Sequence, residues 1–398
     1  MFDPGTSCLA REHTHNLVGG WAVELVGGWL SSLAPFSCDD YMMRQLPSLL
    51  GMLAIASVAS AQSTQPAPGG DYVIRDFKFE SGESLSELRI HYLTLGKPRR
   101  DAGGVVRNAV IVLHGTTGSG GGFTSRTFGG ELFGPGQLLD TARYFIVLPD
   151  GIGHGKSSKP SDGMHARFPK YTYNDMVDAQ HALLTKGLGV NHLRLVMGTS
   201  MGCMHAWVWG ERFPDFVDGL VPLACAPTQI AGRNRMIRTM IMDLIRDDPG
   251  YKGGDYTEQP AGLRPAMGML FLMTSAPKVQ HRTAPTRDKA DSSIRAYLNS
   301  NVKSHDANDV LYAYDASSNY DPSPNLEKIT ARVLAINSAD DFVNPPELTL
   351  MDQLMPRVKK GKFILLPITE QTRGHGTHSL PAIWKNYLGE FLQQLPPQ

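Results

Sequence analysis

Three stretches of this sequence hold residue types that could break or make an acyl bond. In "LRLVMGTSMGC", residues 193–203, an apolar run leads directly into Gly198-Thr199-Ser200-Met201-Gly202 and then into helix-compatible residues. A G-x-S-x-G turn between a strand and a helix is so tight that its serine is thrust forward as a nucleophile. A serine needs a base to take its proton, and the base needs a carboxylate to fix its tautomer and stabilise its charged form. After the run "RVLAI", the stretch "NSADDFVNPP" supplies Asp340 and Asp341. After "KFILL", the stretch "PITEQTRGHGTHSL" supplies His375 and His378. His375, between glycines, has the freer loop to reach Ser200, whereas His378 begins the last helix. The competing reading, a serine that merely caps its helix, is disfavoured by the strand-turn-helix context.

Such chemistry also needs donors for a developing alkoxide. "VIVLHGTTGSGGG" leaves a strand with His114-Gly115 and a glycine-rich loop, where backbone N–H groups can face that charge. The expected donors are the amides of Thr116 and Met201, with His114 as a brace of the loop. No Gly-Lys-Ser/Thr ending follows, so the loop is not a phosphate cradle. "HGTH" lacks the glutamate and the helix of a H-E-x-x-H site, so no metal is expected there. Neither metal nor cofactor is needed by this reading. His154, in "PDGIGHGKSS", is read as structural, and Trp207 and Trp209 as packing residues of the elbow helix.

These groups must be held by strand ends. Strand-length apolar runs occur at Ala109–Leu113, Tyr144–Leu148, Leu193–Met197, Val217–Leu223, Arg332–Ile336 and Lys362–Leu366. Tyr171–Leu188 places Met176, Val177, Gln180, Leu183 and Leu184 near one helical face, and Gly187 and Gly189 stop it. Pro381–Leu392 forms a closing helix. Strands alternating with helices predict a mostly parallel sheet covered by helices on both faces. Asp71–Phe79 and Glu87–Leu95 form an antiparallel start. Residues 226–328 lack strand pairs and carry Met-rich helical stretches, which marks a helical lid inserted in the core formed by 71–225 and 329–398.

The chain has 398 residues, 41% apolar and 19% charged, with 38 basic and 38 acidic side chains. That balance provides no basic footprint for nucleic acid. A small neutral or weakly polar substrate is expected. Residues 42–61, "MMRQLPSLLGMLAIASVASA", combine Arg44, an apolar stretch and a small-x-small ending, the pattern of a secretory signal peptide. The apolar stretch is too short and interrupted for a stable membrane anchor. Because such a signal must be N-terminal, residues 1–41 read as a mis-assigned upstream extension, with translation starting at Met42 or Met43. His13 and His15 are then no metal site, and Cys8 and Cys38 leave the count. Residues 62–70 read as a flexible lead-in. Cys203 and Cys225 are expected to be two small buried thiols, since spacing alone does not establish disulfide geometry.

Together, "ELRIHYLTLGKP", "LFGPGQLLDTARYFIVLPDGIGHGKSS", "GTSMGCMHAWVWGERFPD" and "RGHGTHSL" resemble the homoserine O-acetyltransferase branch of the α/β-hydrolase superfamily, from Asp71 to the C-terminus. The resemblance implies an α/β-hydrolase fold, Ser200 as nucleophile, His375 as base, and Thr116 and Met201 as oxyanion donors. It favours Asp341 over Asp340 through the Pro345 that follows. It also implies that Arg238 stands where the family's lid arginine holds a substrate carboxylate. The family typically reads Gly-Ser-Met-Gly-Gly and Gly-His-Asp, whereas this chain has Thr199, Cys203 and Gly376. The missing acid beside the base and the export signal point to water as the acceptor. The expectation is a periplasmic or secreted serine hydrolase acting on a small ester or acyl compound. An O-acyltransferase and a non-catalytic binding protein are the alternatives, and a homodimer is compatible with any of them.

Overall fold

The computed structural model describes residues 68–397. The start site, the signal peptide, most of the lead-in, His13, His15, Cys8 and Cys38 lie outside the described residues.

Eight strands form one sheet: β1 (Gly69–Lys78), β2 (Ser84–Leu95), β3 (Ala109–Leu113), β4 (Phe145–Pro149), β5 (Leu193–Thr199), β6 (Val217–Leu223), β7 (Arg332–Ser338) and β8 (Gly361–Leu366). Their order is β1-β2-β4-β3-β5-β6-β7-β8. The pairs β1–β2 and β2–β4 are antiparallel, and the rest are parallel. The lead-in is shorter than the sequence implied, because Gly69 and Gly70 already pair with Leu93 and Tyr92. Every residue of β3, β4 and β5 is buried, as expected of strands covered on both faces.

The helices are α1 (Gly129–Leu132), α2 (Tyr173–Ala182), α3 (Met201–Arg212), α4 (Gly232–Arg246), α5 (Leu263–Thr274), α6 (Pro277–Thr283), α7 (Arg287–Ser304), α8 (Ala307–Asp315), α9 (Leu350–Leu354) and α10 (Pro381–Gln394). A reciprocal Thr172–Asp175 capping box starts α2. It ends earlier than its periodicity indicated, in a wider turn over Leu183–Gly187.

Strand alternation sorts the core into two layers. Ala109, Ile111 and Leu113 of β3 join Met176, Trp207 and Trp209 of α2 and α3. Val110 and Val112 join Trp384 and Leu388 of α10 on the other face. The lid, α4 to α8, is inserted between β6 and β7 and has its own apolar cluster, including Ile241, Met267 and Leu311. Trp207 and Trp209 are fully buried, and the Trp209 indole N–H donates to Gln180 Oε1 at 2.9 Å.

Candidate active site

The β5–α3 turn is as tight as its sequence implied. Ser200 sits at φ 53° and ψ −109°, a conformation that costs an L-residue steric strain. Both flanking glycines are required by space. A Cβ on Gly198 would lie 1.9 Å from the Gly202 carbonyl oxygen, and one on Gly202 would lie 2.0 Å from the Leu113 oxygen. The turn is fastened by Ser200 N–H to Leu223 O at 2.9 Å and by Gly202 N–H to His114 O at 3.0 Å.

His375, on the loop between β8 and α10, meets Ser200 from the opposite side. The Ser200 hydroxyl is 2.8 Å from His375 Nε2, and His375 Nδ1 is 2.9 Å from Asp341 Oδ2. This line of contacts is the geometry that general-base activation of a serine requires. Asp341 is 2% exposed and accepts further hydrogen bonds from the Val343 amide at 2.8 Å and Asn344 Nδ2 at 3.0 Å. Burial pushes its carboxyl up, but the attraction of His375 and these hydrogen bonds prevail and hold it below the usual range. Asp340 does other work: it accepts the Ser338 hydroxyl and the Gly374 amide, bracing the histidine loop. His378 stands edge-on to His375 with ring centroids 5.1 Å apart and contacts the Ser379 hydroxyl.

Thr116 and Met201, the expected donors, both lie near Ser200. Thr116 lines the cavity above Ser200, and Met201 is the first residue of α3, whose amide has no partner within the helix. Gly115 permits this approach, because its Cβ would lie 3.2 Å from that of Ser200. His114 fixes the loop: it accepts the Gly151 amide on Nε2 at 2.9 Å, so Nδ1 carries the proton and donates to Gly115 O at 2.8 Å. Burial pulls its pKa down to about 4, so it stays neutral. His154 is likewise buried, donates from Nδ1 to Ile152 O, and is pulled down to about 3.

Arg238, from α4, reaches the same place. It is 3% exposed, donates to Asn234 Oδ1 and Ser317 Oγ, and lies 5.3 Å from the centroid of the Tyr314 ring. No carboxylate pairs with it among the described residues. Two cavities meet at Ser200, His375, Arg238 and Val343. The larger, about 470 Å³, is lined by hydroxyls, glycines and imidazoles together with the apolar side chains of Phe123, Phe128, Leu270 and Met273, and none of its lining residues is acidic. The smaller, about 120 Å³, lies toward the ends of β6 and β7 and is lined largely by aliphatic and sulfur side chains.

Two features escaped sequence reasoning. Cys203 and Cys225 are not separate thiols: they form a disulfide, with Cα atoms 5.9 Å apart. Adjacent parallel strands cause this, because β5 and β6 are neighbours. The first turn of α3 is thereby brought over the end of β6. Asn344 is the other. Its amide bridges Ala224 O at 2.9 Å and Asp341 Oδ2 at 3.0 Å, tying the acid to the end of β6. The only signal for it was its place in the "DDFVNPP" loop.

Residues 108–364 match the model of the α/β-hydrolase fold family. A probable acyltransferase of Methanothermobacter thermautotrophicus is 32% identical, covering 73% of this chain and 89% of its own length. A homoserine O-acetyltransferase of Geotalea daltonii is 33% identical, covering 75% and 90%. In structure, an acetylester hydrolase of Corynebacterium glutamicum superposes with a TM-score of 0.72 at 22% identity, over 82% of this chain and 96% of its own. With the elbow, the sheet order and the inserted lid, these matches establish that the chain belongs to the α/β-hydrolase fold family, in its homoserine O-acetyltransferase-like branch, and is an enzyme of that fold.

Proposed function

We propose that this enzyme is a serine hydrolase that cleaves a small ester through an acyl-Ser200 intermediate, with water as the second acceptor. Ser200 attacks the ester carbonyl while His375 takes the hydroxyl proton, and Asp341 stabilises the imidazolium. The Thr116 and Met201 amides receive the oxyanion. The tetrahedral adduct expels the alkoxide, which takes the proton from His375. Water, deprotonated by His375, then attacks the acyl carbon and regenerates Ser200 as the carboxylic acid leaves.

The observation that carries water over an amino-alcohol acceptor is the lining of the larger chamber. An amino-acid acceptor brings an ammonium, and an ammonium buried without a carboxylate is penalised by several kcal/mol in rough terms. That chamber has no acidic residue, and by the resemblance Gly376 stands where the family usually carries one. Arg238 supports a substrate bearing a carboxylate, because its neutral partners Asn234 and Ser317 leave a buried cation without a counter-charge until an anion arrives. The esterase name of a structural neighbour is in keeping with this reading. The names of the sequence relatives favour the other one, transfer of an acyl group to homoserine.

Deacylation separates the two. The protein is acylated with p-nitrophenyl acetate and the breakdown followed with rising homoserine at fixed pH. A rate independent of homoserine, with acetate as product, is expected; a saturable rise yielding O-acetylhomoserine would restore the acyltransferase. We place the enzyme in the periplasm or outside the cell. Disulfides persist in oxidising compartments, and the Cys203–Cys225 bond agrees with the signal read in residues 42–61. Mass spectrometry of the exported protein should find its N-terminus at Gln62, whereas an active mature chain retaining Met1 would overturn the assignment.

A further inference from the structure

We propose that the smaller chamber beside Ser200 is an acyl-chain subsite, so that the substrates are esters of acids of about four to eight carbons and not only acetates. This rests on the hydrolase reading above and adds the side of the nucleophile on which each half of the ester lies.

The argument starts from what each half must do. When the acyl-enzyme forms, the alcohol departs and water takes its place beside His375, while the acyl group stays bonded to Ser200. The half that is exchanged needs a roomy, hydrogen-bonding space; the half that stays gains from a narrow, apolar one. The two cavities differ chiefly in width, and both have apolar walls. The larger, about 470 Å³, carries Thr116, Thr117, Ser119 and Asn301, groups that can hold waters or a polar alcohol. The smaller, about 120 Å³, carries Met204, Ala226, Ile230, Leu350 and Phe363 along with polar amides such as Gln229, Asn337 and Asn344. It starts at Ser200, and its lining extends to Leu348 and Leu365, which are 53% and 42% exposed. A chain bonded at Ser200 would therefore run from the nucleophile along apolar walls toward the sheet edge at β8. One wall is rigid. Cys225 lines the chamber and is tied by its disulfide to the helix that begins at the nucleophile. Its charged members, Arg238 and Asp352, stand apart: Arg238 lies where the two cavities meet, and Asp352 is exposed.

Each methylene moved from water into such a chamber raises kcat/KM about fourfold, so p-nitrophenyl hexanoate should exceed the acetate by on the order of a hundredfold. The test uses the mature, oxidised protein with p-nitrophenyl acetate, butyrate, hexanoate and octanoate, and in parallel a series of acetates with different alcohols. Ala226→Phe and, as a second filling of the chamber, Thr228→Trp should each lower the hexanoate-to-acetate ratio at least tenfold without changing preference among the alcohols. Asn301→Phe, in the other cavity, should do the reverse. A wild-type profile that is flat or falls with acyl length overturns the subsite while leaving ester hydrolysis intact. So do filling variants that change only the alcohol preference. Absence of turnover with every ester, together with no fluorophosphonate labelling of Ser200, overturns the hydrolase reading and the subsite with it.

Discussion

Ser200 is held in a strained backbone conformation, at φ 53°, and its hydroxyl is already 2.8 Å from His375 Nε2. A nucleophile, base and orienting acid linked in this way act as a unit. Ser200→Ala and His375→Ala should each lower kcat by about 10⁴ to 10⁶, with the double variant little worse than either. His378→Ala serves as the control, since only His375 touches both partners; full activity in His375→Ala would end this assignment. Asp341→Asn should cost far more than Asp340→Asn, because Asp340 contacts the loop and not the imidazole. Arg238 is tested differently. Arg238→Met should raise KM for esters carrying a carboxylate and leave KM for neutral esters nearly unchanged, and an equal rise for both would assign Arg238 to packing in the lid.

At the level of elements, the disulfide spans 22 residues of sequence, joining α3 to the end of β6. Closing a loop of that length lowers the entropy of the unfolded chain by an amount worth about 3 kcal/mol. Cys203→Ala/Cys225→Ala, or reduction of the native protein, should therefore lower Tm in a scanning measurement. An unchanged Tm, with two thiols titrating after mild reduction, would show that the bond carries no stability. The strands were legible because β3 to β6 are almost wholly buried and read as predominantly apolar runs of the right length, broken only by residues such as Arg194 and Asp218. Ser200, Asp341 and His375 could be singled out as candidates because Ser200 and Asp341 closely follow β5 and β7 and His375 lies in the loop between β8 and α10. Asn344 was not, since its partner Ala224 is 120 residues away in sequence. The disulfide was hidden for a similar reason, because only the neighbourhood of β5 and β6 sets its geometry. The two chambers were equally out of reach, being enclosed by lid and core residues whose packing no local pattern specifies.

For the molecule as a whole, the buried histidines set the response to acid. His114 and His154 are neutral when folded, pulled to about 4 and about 3 by burial, and His205 is pulled down in the same way. Unfolding frees them to bind protons below their ordinary value near 6.5. Their contribution is thus full above that pH and declines as pH falls toward the folded values, by on the order of 3 kcal/mol for His114 and about 5 kcal/mol for His154. Asp309 works the other way. Burial pushes it up to about 6 and raises Asp175 and Glu211 as well, so the folded state takes up these protons first; but burial also lowers His378, to about 3, and His181, which sets five histidines against three carboxyls. Tm should fall by roughly 10 °C between pH 7 and pH 5, and His154→Gln should flatten the slope. A Tm that holds constant over that range would contradict this account.

The contact between Ser200 and His375 joins residues 175 apart in the chain, with the whole lid between them. Closing so long a loop comes late, because its entropy must be spent before the contact returns anything. Local structure such as α2, with its own capping box, has no such wait. On dilution from denaturant, helical signal should recover first and fluorophosphonate labelling of Ser200 last. A chain that has already built its elbow and half its sheet would still be chemically silent, so the enzyme acquires its reactivity as the final event of its own assembly.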